Sequence, residues 1–143
     1  MRNIDWTLLV IAAASGARMT PVQLQKSLFL LGRNLDESEL KRASLYNFEP
    51  YDYGPFDSKV YSDAEKLESD GLISIDAGGR YREYWITATG SEQARQLRQK
   101  LDSGATKYLD EVVRWVLPKT FGQLVRAIYK SYPEMREKSV FKY

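Results

Sequence analysis

Residues 48–73 read FEPYDYGPFDSKVYSDAEKLESDGLI, and the fold turns on this stretch. It opens with aromatics punctuated by Pro50, Gly54 and Pro55, the chemistry of a turn or a short extended segment. Proline fits a first helical turn, where its missing N–H has no partner to lose, so the pattern predicts a helix beginning at Pro55. Phe56, Val60, Tyr61, Ala64 and Leu67 then recur at three- and four-residue spacing, which gives one apolar face. Asp70-Gly71 stops the helix, because glycine accepts the left-handed conformation of a C-terminal cap. Leu72–Ile75 follows as a strand. The order is extended segment, helix, sharp stop, strand.

Working toward the N-terminus, Ile4–Ser15 is an apolar stretch ended by Gly16 and reads as a core helix. Thr20-Pro21-Val22-Gln23 is a capping box with proline at the first helical position. The helix it opens carries Val22, Leu24, Leu28, Phe29, Leu31 and Leu35 inward, with Gln25, Lys26 and Arg33 expected outside. Residues 36–42 suit either a loop or a short helix.

Working toward the C-terminus, Leu72–Ile75 and Tyr81–Thr87 make a hairpin across Asp76-Ala77-Gly78-Gly79-Arg80, whose glycines suit a tight turn. Ser91 can cap the next helix, which runs through Ala94, Leu97 and Leu101. Ser103-Gly104 reads as a break. Two further apolar helices follow, one through Trp115 to Pro118 and one from Phe121 to Tyr132, and the tail after Ser139 is expected to be loose. The fold class is therefore mainly α with a small antiparallel β-hairpin. It divides into a winged helix–turn–helix domain, residues 1–102, and a C-terminal helical extension, 103–143, that packs on it or makes a homodimer.

Composition narrows the function classes. The chain has 143 residues, 43% hydrophobic and 28% charged, as globular proteins do. It has neither cysteine nor histidine, which removes disulfides, thiolate chemistry, His-ligated metals and the usual neutral-pH base. Asp63, Glu65, Glu68 and Asp70 cluster, but their spacing does not converge on one helix face. Gly78-Gly79 lacks the lysine and following helix of a phosphate loop. No catalytic residue, metal or cofactor is expected, and an enzyme is not. The longest apolar run, Leu8–Ala14, is too short for a bilayer and makes a poor signal peptide, so a cytoplasmic protein with no membrane partner is expected.

Charge is unevenly spread: the chain is +2 overall, yet residues 48–70 carry −5 and residues 103–143 carry +4. Two candidate surfaces follow. For DNA, phosphate contact needs Lys and Arg. Arg80 and Arg82 stand on the wing beside Tyr81, Lys59 and Lys66 on the third helix, and Arg95 and Arg98 on the helix after the wing. The acidity of the third helix opposes its entry into the major groove. For a protein partner, Tyr51 and Tyr53 are interface-type residues, and Asp57, Asp63 and Glu65 would steer a basic partner. Each set has a plain alternative: solvated surface for the charges, core filling for the rings.

Two resemblances bear on these readings. The helix end Leu67–Ile73, the hairpin and Tyr84-Trp85-Ile86-Thr87-Ala88-Thr89-Gly90 together resemble winged-helix regulators of the MarR and PadR kind. That resemblance implies a DNA-binding role in transcription regulation. Leu24-Gln25-Lys26-Ser27-Leu28-Phe29, with Tyr53-Gly54-Pro55-Phe56 and Val60-Tyr61, resembles the Panacea domain of SocA-like antitoxins. It implies a partner protein, such as a toxin or a phage-defence component, in a bacterial operon.

Overall fold

The computed structural model describes residues 1–141. Helix α1 (Asn3–Ala13) is buried almost all round and forms the centre, with Trp6, Leu8, Leu9, Val10 and Ile11 fully enclosed. Its indole at Trp6 donates to the Leu40 carbonyl (2.9 Å), which fixes the short α3 (Glu37–Leu40) over its N-terminal half. Helix α2 (Pro21–Asn34) begins as the capping box requires, with Gln23 N donating to Thr20 Oγ1 and Thr20 N to Gln23 Oε1.

The stretch 48–73 departs from expectation at its start. Pro55 lies in a strand: β1 (Glu49–Tyr51) pairs antiparallel with β2 (Gly54–Phe56), in the register Glu49 to Phe56 and Tyr51 to Gly54. Helix α4 (Lys59–Ser69) begins four residues later than expected. An isolated two-stranded hairpin leaves both outer edges unpaired, so prolines at 50 and 55 remove no ladder bond that a neighbour needs. Asp57 supplies the helix start, accepting from the Lys59 N–H at 2.9 Å. Gly71 (φ 76°) then ends the helix as the sequence requires.

The second hairpin pairs β3 (Ile73–Asp76) with β4 (Glu83–Ile86), Ile73 facing Ile86 and Asp76 facing Glu83. Met19 and Tyr84 exchange two backbone hydrogen bonds of 2.8 Å, so the α1–α2 turn adds an isolated bridge to β4. Helix α5 (Ala88–Arg98) is capped by Thr87, not Ser91: the Thr87 hydroxyl takes the Gly90 N–H at 3.0 Å. Gly90 itself is pressed on the Leu72 carbonyl, where any Cβ would stand 1.8 Å from the oxygen.

Helices α6 (Ser103–Val116) and α7 (Phe121–Ser131) present Leu109, Val112, Val116, Leu124 and Ile128 to the same core as α1 and α2. Ser103-Gly104 is the first turn of α6, not a break. After a short 3-10 turn (Pro133–Arg136), Val140 N donates to the Asp52 carbonyl at 2.9 Å, so the segment past Ser139 is tied to the β1–β2 turn. The described architecture is thus mainly helical with two small antiparallel hairpins, one more than the sequence indicated. Among the described residues, no helix is long and apolar enough to cross a membrane.

Candidate functional site

Of the six cations expected to hold DNA, four are paired with carboxylates. Arg82 is paired with Glu65 of α4 (2.9 Å), a bond that raises the guanidinium's pKa. Lys66 is paired with Asp70 (2.6 Å), Arg95 with Glu92 (2.5 Å), and Arg98 bidentately with Asp110 of α6 (3.0 and 2.7 Å). Lys59 is exposed at the start of α4. Arg80, at the tip of the β3–β4 turn, has no carboxylate partner among the described residues.

The acidic partner-binding set is equally committed to the fold. The Asp57 carboxylate receives the N–H groups of Asn47 (2.8 Å) and Lys59, while its backbone exchanges two bonds with the Gln25 amide. Asp63 accepts from the Tyr46 hydroxyl at 2.6 Å, and that hydroxyl also meets Thr7 Oγ1 at 2.7 Å. Burial, with the Asp63 carboxylate beside it, pushes the Tyr46 phenol well above its ordinary value. Glu65 is the partner of Arg82. Asp57 and Asp63 thus position elements, while Glu65 is exposed in its pair with Arg82.

Tyr51 and Tyr53 have a different fate. They rim a cleft of about 630 Å³ between the start of α2, the β1–β2 hairpin, the tip of the β3–β4 turn and the entry to α7. Of the six large apolar side chains exposed among the described residues, four stand on this rim: Tyr51 (51%), Tyr53 (44%), Tyr81 (56%) and Phe121 (43%). Tyr51 stacks on Phe56 at 4.9 Å between ring centroids, and Tyr53 meets Phe121 edge-on at 5.0 Å. Phe56 in turn packs edge-on against Tyr61 of α4, whose phenol burial pushes up to about 12. Six aromatic rings therefore line one concavity.

The polar lining is one-sided. Arg80, Lys119 and Lys26 contribute cations, and no Asp or Glu is among the described residues that line the cleft. Lys119 is held against Trp115, its Nζ 3.7 Å from the ring centroid and donating to the Trp115 carbonyl at 3.0 Å. Lys26 was expected on the outer face of α2, and this is corrected: it is 3% exposed, as Gln25 is 1% exposed. The β1–β2 hairpin lies across that face. Gln25 is bound to the Asp57 backbone, and Lys26 Nζ donates to the Pro55 carbonyl at 3.1 Å. Desolvation lowers the Lys26 amine from its ordinary value to about 7.

The cleft cuts across both sequence-derived sets, taking Arg80 from one and Tyr51 and Tyr53 from the other. Lys26, Tyr81, Lys119 and Phe121 belong to neither. Tyr81 was signalled by its place between two arginines; Lys26 carried no signal, because a lysine among polar neighbours reads as solvent-facing. Among the described residues, no group of three His, Cys, Asp or Glu could hold a metal ion. No family model matches this chain, and no curated protein or solved structure does either.

Proposed function

We propose that this chain is a non-enzymatic regulatory binding module that receives an acidic, aromatic segment of a partner protein in the cleft. The observation that carries the reading is the convergence of exposed rings with three cations and no carboxylate. Exposed large rings gathered round a concavity are the composition of interface anchors, and one sign of charge selects the opposite sign in the occupant. The partner chemistry is thus the reverse of that expected from the acidic α4, where Asp63 is bound to Tyr46 and the exposed Glu65 is paired with Arg82. The Panacea-like motifs support the same class of function, an antitoxin-like module that works on a protein.

The test is an array of short peptides in which Trp, Tyr or Phe is flanked by Asp/Glu or by Lys/Arg. Retention of the acidic series, lost in Phe121→Ala and Tyr53→Ala, is expected. Equal retention of the basic series, or binding indifferent to both substitutions, overturns the reading.

A second reading is a cytoplasmic winged-helix transcription regulator that touches DNA through the β3–β4 turn, as monomer or as homodimer. The element order and the Met19–Tyr84 bridge on β4 favour the winged-helix scaffold, and Arg80 is free of carboxylates to meet phosphate. Fluorescence anisotropy on random duplex DNA across a salt series checks it. Binding that weakens steeply with salt and vanishes in Arg80→Glu/Arg82→Glu supports this reading; no binding at low salt removes it.

A further inference from the structure

Lys26 adds a specific receptor to this cleft. Its ammonium could donate three hydrogen bonds, yet it is enclosed with one acceptor, the Pro55 carbonyl. It lines the cleft beside Gly54, whose missing Cβ would stand 3.7 Å from the nitrogen. The surrounding walls bring the amine no counter-charge. From α2 come Gln23 and Gln25; from the first hairpin, Tyr51 and Tyr53; from α4, Tyr61. The β3–β4 turn adds Arg80 and Tyr81, and the entry to α7 adds Lys119. The Tyr129 ring of α7 packs on Gly54 from behind. A buried amine with one protein acceptor, among cations, amides and phenols with no carboxylate in the described lining, suits an anion.

We propose that Lys26 is the receptor for a carboxylate carried by the occupant of the cleft, and that filling the cleft draws a proton onto its amine. The proposal rests on the cleft reading above and gives that site its ligand chemistry: a flat aromatic group against the tyrosines and Phe121, with a carboxylate on a short aliphatic chain beyond it. Burial alone lowers the amine to about 7. A carboxylate beside it restores the ammonium's preference for its proton, which comes from solvent.

The probe is hydrocinnamate, a phenyl ring on a short carboxylic acid, with the uncharged hydrocinnamamide as control. Titration calorimetry of the unmutated protein in two buffers of different ionisation enthalpy counts protons directly. Uptake of close to one proton per hydrocinnamate is expected at about pH 8, and little at about pH 6. Affinity should fall roughly fiftyfold from pH 7 to pH 9, as the protonated fraction of an amine with pKa about 7 falls. Hydrocinnamamide should show neither effect, and Lys26→Met should abolish both. Binding of hydrocinnamate that is lost in Phe121→Ala but takes up no proton overturns the role of Lys26 and leaves the cleft standing. Absence of binding by hydrocinnamate and by the acidic peptides alike overturns both.

Discussion

Replacement of Lys26 by methionine, which keeps the length of the side chain and removes its charge, should change how stability depends on pH. In the folded chain burial lowers the amine to about 7 from its ordinary 10.5. Between those values the unfolded chain binds more protons than the folded one, so stability rises with pH across the interval. Linkage from pH 7 to pH 10.5 is worth roughly 4 kcal/mol, and the span from pH 7 to pH 9 about 2 kcal/mol. Lys26 is 3% exposed, so solvent screening takes little from this figure. The window is unusually clean, because the chain has no histidine and no cysteine. The amino group of Met1 is common to both proteins and cancels in the difference. Urea denaturation at the two pH values is the assay. With a slope of ~2 kcal/mol per molar, the wild-type midpoint should move up by about 1 M, and that of Lys26→Met should stay put. The absolute stability of the variant is a separate matter. It leaves the Pro55 carbonyl short of a partner, a loss of ~1–3 kcal/mol, and gains the desolvation cost it removes. A wild-type midpoint indifferent to pH, or a rise of equal size in Lys26→Met, would refute the burial argument.

Three further substitutions probe the scaffold beneath the cleft. Gly54→Ala must hold φ at 104° and bring a Cβ to 3.3 Å from the Tyr129 ring, so a loss of ~1–3 kcal/mol is expected, read as a fall of several degrees in Tm. Gly90→Ala places a Cβ 1.8 Å from the Leu72 carbonyl, which α5 can accommodate only by moving off the hairpin. The loss should exceed ~3 kcal/mol in denaturant melts, and a mild effect would show that α5 shifts freely. Tyr46→Phe removes the hydroxyl shared by Asp63 and Thr7 and should cost ~1–3 kcal/mol by chemical denaturation. By contrast Arg82→Ala, which breaks an exposed pair with Glu65, should stay within ~1 kcal/mol.

What could be read from the sequence was whatever local chemistry decides. The Thr20 capping box and the Gly71 stop act within a few residues of themselves, and each stands where its pattern put it, whereas the β3–β4 connection runs over residues 77–82 and neither Gly78 nor Gly79 takes a positive φ. Pro55 misled because two local rules compete for it, helix start and hairpin edge. The contact that decides is long-range, since Gln25 and Lys26 of α2 bind the backbone of Asp57 and Pro55. The same contact explains the misplacement of Lys26. An amphipathic reading assigns polar residues to solvent, whereas here a hairpin with its own unpaired backbone groups lies over them and needs those donors. The cleft was half legible for a similar reason: Tyr51 and Tyr53 announce themselves by composition, but Lys119 and Phe121 reach them only through the packing of α7 on the hairpin.

The Met19–Tyr84 pair also bears on how the chain reaches its fold. Its two hydrogen bonds close a loop of about 65 residues, an ordering cost near 4 kcal/mol on simple loop statistics. Two bonds cannot offset that alone, so the pair must form after α4 and the β3–β4 hairpin have docked on α1. It is then a reporter of completed assembly. The amide protons of Met19 and Tyr84 should exchange together, at a rate set by opening of the packing around α1, while the amides at residues 79–81 of the connection exchange faster.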